Sequence, residues 1–304
     1  MENALIGLSN ELAQIVQDLD RYVVSVHARR HYPSSGLWWG PDVIVTASHT
    51  IQRDEDITVS LAGGAAAEAS LIGRDSGSDL AVLRVKEAGP SRAERAVAET
   101  VKVGELALVV GRSPDSGVNA SLGIISARSG PWRTWRGGQL DAYIRLDARL
   151  FPQSSGGAVV NGRGEIIGLA TSALSRIAGL AVPVATIKDV TGKLMERGFV
   201  PRGYLGIGVQ PVPIGEGLRQ KLAVPNQNGL IVLTVESNGP ADKGGVLPGD
   251  IVLRVNEVTT EETEDLQAFS QSAEIGRSAK IQLICGGVRK EVSVVVGERP
   301  RRRS

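Results

Sequence analysis

Three side chains in this sequence make up a complete relay for nucleophilic catalysis. Ser155 lies in Gln153-Ser154-Ser155-Gly156-Gly157, His49 ends Val45-Thr46-Ala47-Ser48-His49, and Asp79 precedes Leu80-Ala81-Val82-Leu83. A serine hydroxyl is a poor nucleophile near neutral pH. It needs a base to take its proton, and the base needs a group that holds its tautomer and stabilises its charged form. His49 has the chemistry of that base, and of the acid that later protonates a leaving amine. Asp79 has the chemistry of the orienting group. Gly156 and Gly157 let the chain turn sharply after the hydroxyl and let a substrate backbone come close. The competing residues are placed less well: His27 falls inside a strand pattern, His31 in a Tyr-Pro-rich loop, and Asp75 lacks the apolar run that follows Asp79.

Other chemistries find little support. Three scattered histidines and one cysteine argue against a metal site, and no cofactor is expected. Gly162-Arg163-Gly164 lacks the third glycine of a dinucleotide loop, and Gly111–Gly117 has no following lysine for a phosphate loop. A G-x-S-x-G elbow is absent, which argues against a lipase-like hydrolase. The formal net charge of +1 gives no global pull toward nucleic acid, and no apolar run approaches the roughly 18 residues of a membrane span. Cys285 lies in a strand-like run and reads as a packing thiol; alone, it cannot form an internal disulfide. The first residues have no basic start and an interrupted apolar stretch, unlike a signal peptide. If the chain is full length, this points to the cytoplasm.

The elements that must position these residues are short strands. Gly is abundant at 37 residues of 304 and aromatics are sparse at 4%, which favours tight turns and small side chains. Strand signals fall at Val23–His27, 43–46, 57–61, Leu80–Val85, 106–110, 122–127, 142–146, Ala158–Val160, 166–170 and 180–182, between Gly-, Pro- and Asp-rich turns. That spacing indicates a mainly β sandwich or barrel, and roughly ten to twelve such strands suit a two-barrel domain. His49 then sits at a strand end, facing a cleft. An amphipathic helix is expected over 9–20, capped by Ser9, with Leu12, Ile15, Val16 and Leu19 on one face. A second helix is expected over 184–197, stopped by Gly198. A smaller domain with strands at 230–235, 250–255, 280–285 and 291–296 and a helix at 263–273 follows. The expected organisation is a helical segment over 1–21, a mainly β domain over 22–198, a linker over 199–202, a second domain over 203–297 and a basic tail over 298–304.

The order His, Asp, Ser is that of the chymotrypsin-type triad, and further segments resemble the HtrA/Deg family of serine proteases. They are Val103–Gly111, Ser121-Leu122-Gly123-Ile124-Ile125-Ser126-Ala127, Asn161–Gly168, Gly179-Leu180-Ala181-Val182-Pro183 and Arg202-Gly203-Tyr204-Leu205-Gly206-Ile207. The resemblance covers about residues 22–297. It implies a chymotrypsin-like double β-barrel followed by one PDZ domain, and an ATP-independent serine endopeptidase acting on unfolded or damaged proteins. By the same resemblance, backbone N–H groups of Gln153 and Ser155 form the oxyanion hole. Leu150 lines the S1 pocket, Ala170, Thr171 and Ser172 form its wall and Ala178 its rim, which favours a modest aliphatic P1 residue. Tyr204, Leu205, Gly206 and Ile207 form the loop that takes a peptide C-terminal carboxylate. The implied partners are unfolded polypeptides and peptide C-termini. A homotrimer and a periplasmic or secreted setting are further implications.

The sequence departs from the family just before the nucleophile, where Gly-Asn-Ser is usual and Gln153-Ser154-Ser155 stands here. A residue with a Cβ disfavours positive φ, so the Gln153 N–H is expected to turn inward less readily than glycine's. This departure supports the alternative of a catalytically weak protease-fold scaffold or holdase with a peptide-binding domain.

Overall fold

The computed structural model describes residues 4–90 and 101–298, and these fall into two compact units, Met1–Val200 and Pro201–Ser304. The basic run Arg299–Ser304 lies outside the described residues. Among the described residues, no helix is long and apolar enough to cross a membrane.

The first unit opens with α1 (Ala4–Leu19). The helix starts five residues earlier than expected, so Ser9 is an interior position and not its cap. Its apolar stripe is as expected. Leu12, Ile15 and Val16 pack on the unit's main core and Leu19 is fully buried there. Six strands then close the first barrel: β1 (Val23–His27), β2 (Ser34–Trp38), β3 (Val43–Ala47), β4 (Ile57–Ser60), β5 (Ala66–Asp75) and β6 (Leu80–Val85), in the order β1-β2-β3-β6-β5-β4. β2 and β5 were not expected. The run Ser34-Ser35-Gly36-Leu37-Trp38 has three small residues, and β5 is Ala-rich, so neither shows strand propensity. Pairing decides both: Gly36 leaves room for Val24, Val26 and Ile44, where a Cβ would come within 2.7 Å of Ile44.

The second barrel repeats the plan. β7 (Leu106–Ser113) and β8 (Gly117–Ser129) form a long hairpin. A small ribbon, β9 (Trp132–Arg133) with β10 (Gln139–Leu140), leads to β11 (Tyr143–Asp147), β12 (Ala158–Val160), β13 (Ile166–Thr171) and β14 (Gly179–Pro183). The barrel order is β11-β14-β13-β12-β7-β8. α2 (Val184–Arg197) follows and buries Ile187, Val190 and Leu194. Gly198, left-handed at φ 74°, ends it. One core spans both barrels, from Val23, Leu37 and Val45 to Val110, Leu169 and Val182. A buried cation also ties them. The Arg112 guanidinium on β7 donates to the Val23 and Asp20 carbonyls, each at 2.7 Å, and pairs with the Asp20 carboxylate.

The second unit contains β15 (Gly203–Tyr204), β16 (Ile207–Pro213), α3 (Glu216–Leu222), β17 (Asn228–Val235), α4 (Pro240–Lys243), β18 (Ile251–Val255), β19 (Val258–Thr259), α5 (Thr263–Ser272), β20 (Ser278–Cys285), β21 (Val288–Val295) and β22 (Gly297–Glu298). Its sheet runs β16-β17-β18-β20-β21, with β19 beside β18, and β15 pairs β22. α5 is held at its start by a reciprocal cap, Glu262 with Asp265. It places Leu266 and Phe269 in the core with Leu205, Leu230, Val232 and Ile281.

Candidate active site

His49 lies on a single helical turn, Ser48–Thr50, at the end of β3. Thr50 Oγ1 donates to the Ala47 carbonyl at 2.7 Å and pins that turn. Asp79 lies in the turn from β5 to β6, with a left-handed backbone (φ 58°), which Asp tolerates better than most residues. The pair meets twice. The His49 backbone N–H donates to Asp79 Oδ1 at 2.8 Å, and His49 Nδ1 lies 2.8 Å from Asp79 Oδ2. Oδ2 also accepts from Thr171 Oγ1 on β13. The Asp79 side chain is fully buried, while that of His49 is 21% exposed. A carboxylate so enclosed has its oxygens satisfied by hydrogen bonding. It fixes Nδ1 as the protonated nitrogen and leaves Nε2 to accept a proton. Asp75, the rival carboxylate, is turned to Ser78, whose N–H and hydroxyl both donate to it at 2.8 Å.

Ser155 lies in the turn before β12. Gly156 follows it at φ 87°, and a Cβ there would stand 2.0 Å from the Ser35 carbonyl, so only glycine fits. The turn is tied to the first barrel through Ser35. Its N–H donates to the Ser155 carbonyl at 3.0 Å, and its hydroxyl donates to the Gln153 carbonyl at 2.7 Å while accepting the Arg112 N–H at 2.9 Å. The Ser155 hydroxyl is bonded to Ser172 Oγ at 3.2 Å rather than to His49.

The segment before the nucleophile is a β-turn closed by Ser154 N–H to the Phe151 carbonyl at 2.9 Å. Pro152 and Gln153 are its central residues. Among the described residues, the left-handed non-glycine residues are Asp56, Asp79, Ala223, Asn238 and Asn256, and Gln153 is not one of them. The turn is therefore of the type I class; type II would need positive φ at Gln153. Arg29 Nη2 holds the Pro152 carbonyl at 2.8 Å and the Pro33 carbonyl at 3.0 Å. The backbone N–H groups of Gln153 and Ser155 have no hydrogen-bond partner among the described residues.

A cavity of about 380 Å³ opens beside Ser172, lined by Leu150, Ala178, Ile177, Ala148, Asp147 and Arg176 among others. Leu150, Ser172 and Ala178, the residues expected at the pocket, line this cavity. Ala170 and Thr171 do not line it, because both are fully buried in β13. Ala170 accepts the Gly156 N–H through its carbonyl at 2.8 Å, and Thr171 holds Asp79. The lining is also less apolar than expected, since Asp147 and Arg176 take part. Sequence reasoning missed Ser35, Arg29 and the role of Thr171. No local pattern marks them, because each acts on a residue 77 to 123 positions away.

In the second unit, Tyr204 ends β15, Leu205 is buried, Gly206 is left-handed at φ 76° and Ile207 opens β16. The carbonyls of Leu205 and Gly206 are taken by the Ala241 and Glu236 N–H groups, each at 2.8 Å. The N–H groups of Leu205 and Gly206 have no partner among the described residues. The Tyr204 hydroxyl donates to the Glu236 carboxylate.

Residues 34–169 match the trypsin-like peptidase domain model and residues 203–296 the PDZ domain model. A probable periplasmic serine endoprotease, DegP-like, of Rhizobium meliloti (strain 1021) is 31% identical over 263 residues, which is 84% of this chain and 51% of that protein. The protein of the same description from Pseudomonas savastanoi pv. phaseolicola (strain 1448A / Race 6) is 31% identical over 272 residues, 88% of this chain and 56% of its own. The chain thus spans about half the length of the curated relatives it matches. Among solved structures, the serine endoprotease from Yersinia pestis superposes with a TM-score of 0.72 at 28% identity, covering 95% of this chain and 98% of that one. The HtrA-type protease AlgW with tripeptide gives 0.69 at 25% identity, covering 95% and 98%.

Proposed function

Because the chain belongs to the HtrA/Deg family, with a trypsin-like peptidase domain followed by one PDZ domain, we propose that it is an ATP-independent serine endopeptidase. Its substrates are unfolded or damaged polypeptides, and its PDZ domain recognises peptide termini. The observation that carries this proposal is the buried Asp79 carboxylate, doubly bonded to His49 beside the Ser155 turn. In the reaction, Ser155 Oγ attacks the scissile carbonyl and His49 Nε2 takes its proton. Asp79 stabilises the imidazolium through Nδ1–H. The N–H groups of Gln153 and Ser155 receive the developing oxyanion. His49 then returns its proton to the leaving amine, and water hydrolyses the Ser155 ester by the same route. Leu150, Ser172 and Ala178 hold a modest aliphatic P1 side chain. The matching relatives are described as periplasmic, and that compartment, rather than the cytoplasm, is proposed for this protein. A homotrimer rests on the resemblance alone, and sedimentation of a monomer at working concentration would reject it.

The test is cleavage of unfolded casein by the protein and by Ser155→Ala, with fluorophosphonate labelling of both. Cleavage and labelling that vanish in the variant and survive a chelator are expected. No cleavage and no labelling by either would favour a weak or inactive scaffold that binds peptides through its PDZ domain. Two observations favour that second reading: the type I turn at Gln153 and the Ser155 hydroxyl bonded to Ser172.

A further inference from the structure

The PDZ-domain sheet has one edge whose backbone polarity can be assigned residue by residue. β16 pairs with β17 on one side only. Val209 lies opposite Val232, whose backbone is committed to the far side: its N–H donates to the Asp250 carbonyl, and its carbonyl accepts the Gly249 N–H, both at 2.8 Å. Val209 and Val232 are therefore a non-hydrogen-bonded pair, and the N–H and C=O of Val209 point away from β17. Two flanking bonds fix the alternation. The Gly206 carbonyl accepts the Glu236 N–H at 2.8 Å, and the Ile214 N–H donates to the Gln227 carbonyl at 2.9 Å. Even-numbered residues from 206 to 214 thus turn inward, and Ile207, Val209, Pro211 and Pro213 present their backbones to the open edge. Proline has no N–H. The edge offers two donors, at Ile207 and Val209, and then none.

A strand added antiparallel to this edge, with its C-terminus at Tyr204–Ile207, sets its last residue opposite Ile207. Its third-from-last residue exchanges two bonds with Val209, and its fifth-from-last faces Pro211. There no N–H meets the incoming carbonyl, and the proline ring occupies that space. Packing on the domain's main core ends near the same place, although Pro211 and Val212 are still half-buried. Leu205 is buried, and Ile207 and Val209 are half-buried against the core that holds Phe269 and Leu266 of α5, whereas Gln210 and Pro213 are exposed.

We infer that Pro211 ends the backbone ladder at the third residue from a bound C-terminus, so that residues further upstream add little to affinity. The inference rests on the peptide-terminus binding proposed above. The test uses the full chain carrying Ser155→Ala, which prevents turnover. Calorimetry measures binding of Ac-Leu-Val-Phe and Ac-Thr-Val-Thr-Leu-Val-Phe, each as free acid and as C-terminal amide. The two acids should bind within about twofold of each other and the amides far more weakly. Adding Pro211→Val restores one donor, worth about 2- to 10-fold for the hexapeptide, and leaves the tripeptide unchanged. A hexapeptide that binds more than fivefold tighter to the chain with Pro211 overturns the inference. So does a Pro211→Val effect equal for both lengths, which would mark Pro211 as a blunt edge against self-association only. If no acid binds, the peptide-terminus reading fails and takes the inference with it. If acid and amide bind alike, carboxylate capture fails, and the length comparison still judges Pro211.

Discussion

The two sides of the candidate active site are built to different standards. On the His49 side every polar atom that matters is committed. Asp79 accepts three hydrogen bonds and is fully buried, and the histidine turn is pinned through Thr50. On the Ser155 side the backbone after the nucleophile is equally fixed, since Gly156 cannot be anything else. The backbone before it is not. The Pro152–Gln153 peptide is held by one guanidinium on its carbonyl, its N–H is unpartnered, and the nucleophile's hydroxyl turns to Ser172. His49 and Asp79 are held by hydrogen bonds on every side but Nε2, whereas the Gln153 N–H is left open.

The sharpest way to break this comparison is on the fixed side. Asp79→Asn keeps a side chain that tolerates left-handed φ and fills the same volume. It presents an amide where the carboxylate held Nδ1–H, so His49 takes the wrong tautomer. The expected loss in kcat is about 10⁴-fold, measured on a chromogenic peptide with KM little changed. A loss under tenfold would mean that the buried pair is structural only.

Next in size is a change on the unfixed side, and its sign is opposite. Gln153→Gly removes the Cβ that disfavours positive φ and opens the type II form of the turn. If the Gln153 N–H is the missing oxyanion donor, kcat rises by about 100- to 1,000-fold, the worth of one such donor. The rate of fluorophosphonate labelling should rise with it. An unchanged or lower rate would show that the turn already serves the oxyanion, and that the Arg29 bond supports the productive form.

These two positions also mark what was legible in the sequence. His49, Asp79 and Ser155 stood out because each has a local context that chemistry requires: a strand end, a turn before an apolar run, and a hydroxyl followed by two glycines. The all-β class was legible from strands spaced by turns, and the double barrel from the family resemblance. β2 escaped because its small residues exist for the neighbours that pack on them, a tertiary reason with no local trace. Thr171 was placed in the pocket wall because its strand passes there. Its position within that strand, inward and under Asp79, depends on the register of β13 with β14. Pro211 was unreadable for a related reason: its meaning comes from which way its backbone faces, and the bonds of β17 fix that.

Thr171→Val tests the fixed side more gently. Valine keeps the shape and removes one charge-assisted donor from Asp79. The expected cost is about 1.5–3 kcal/mol of stability, read from the urea midpoint, with kcat falling about tenfold as the carboxylate loosens. A stability loss without any change in kcat would confine Thr171 to the fold and leave Asp79 positioned by His49 alone.

The smallest effect concerns pH and lies in the first barrel away from the triad. His27 on β1 is set against Ser60 Oγ at 2.8 Å from its Nε2, with Arg53 bonded to its carbonyl at 2.9 Å. Burial, and then the Arg53 charge, push the His27 pKa below the usual histidine value. The folded state therefore resists a proton that the unfolded state accepts. Above pH about 6.5 both states are neutral and stability is unaffected. As pH falls below that value the unfolded chain gains protons first, so stability drops, levelling off only below the folded-state pKa. His27→Gln keeps a polar partner for Ser60 and cannot titrate. It should flatten the fall in urea midpoint between pH 7.5 and 5.5 and leave kcat at pH 7.5 unchanged. If the fall persists in the variant, the acid sensitivity does not come from His27.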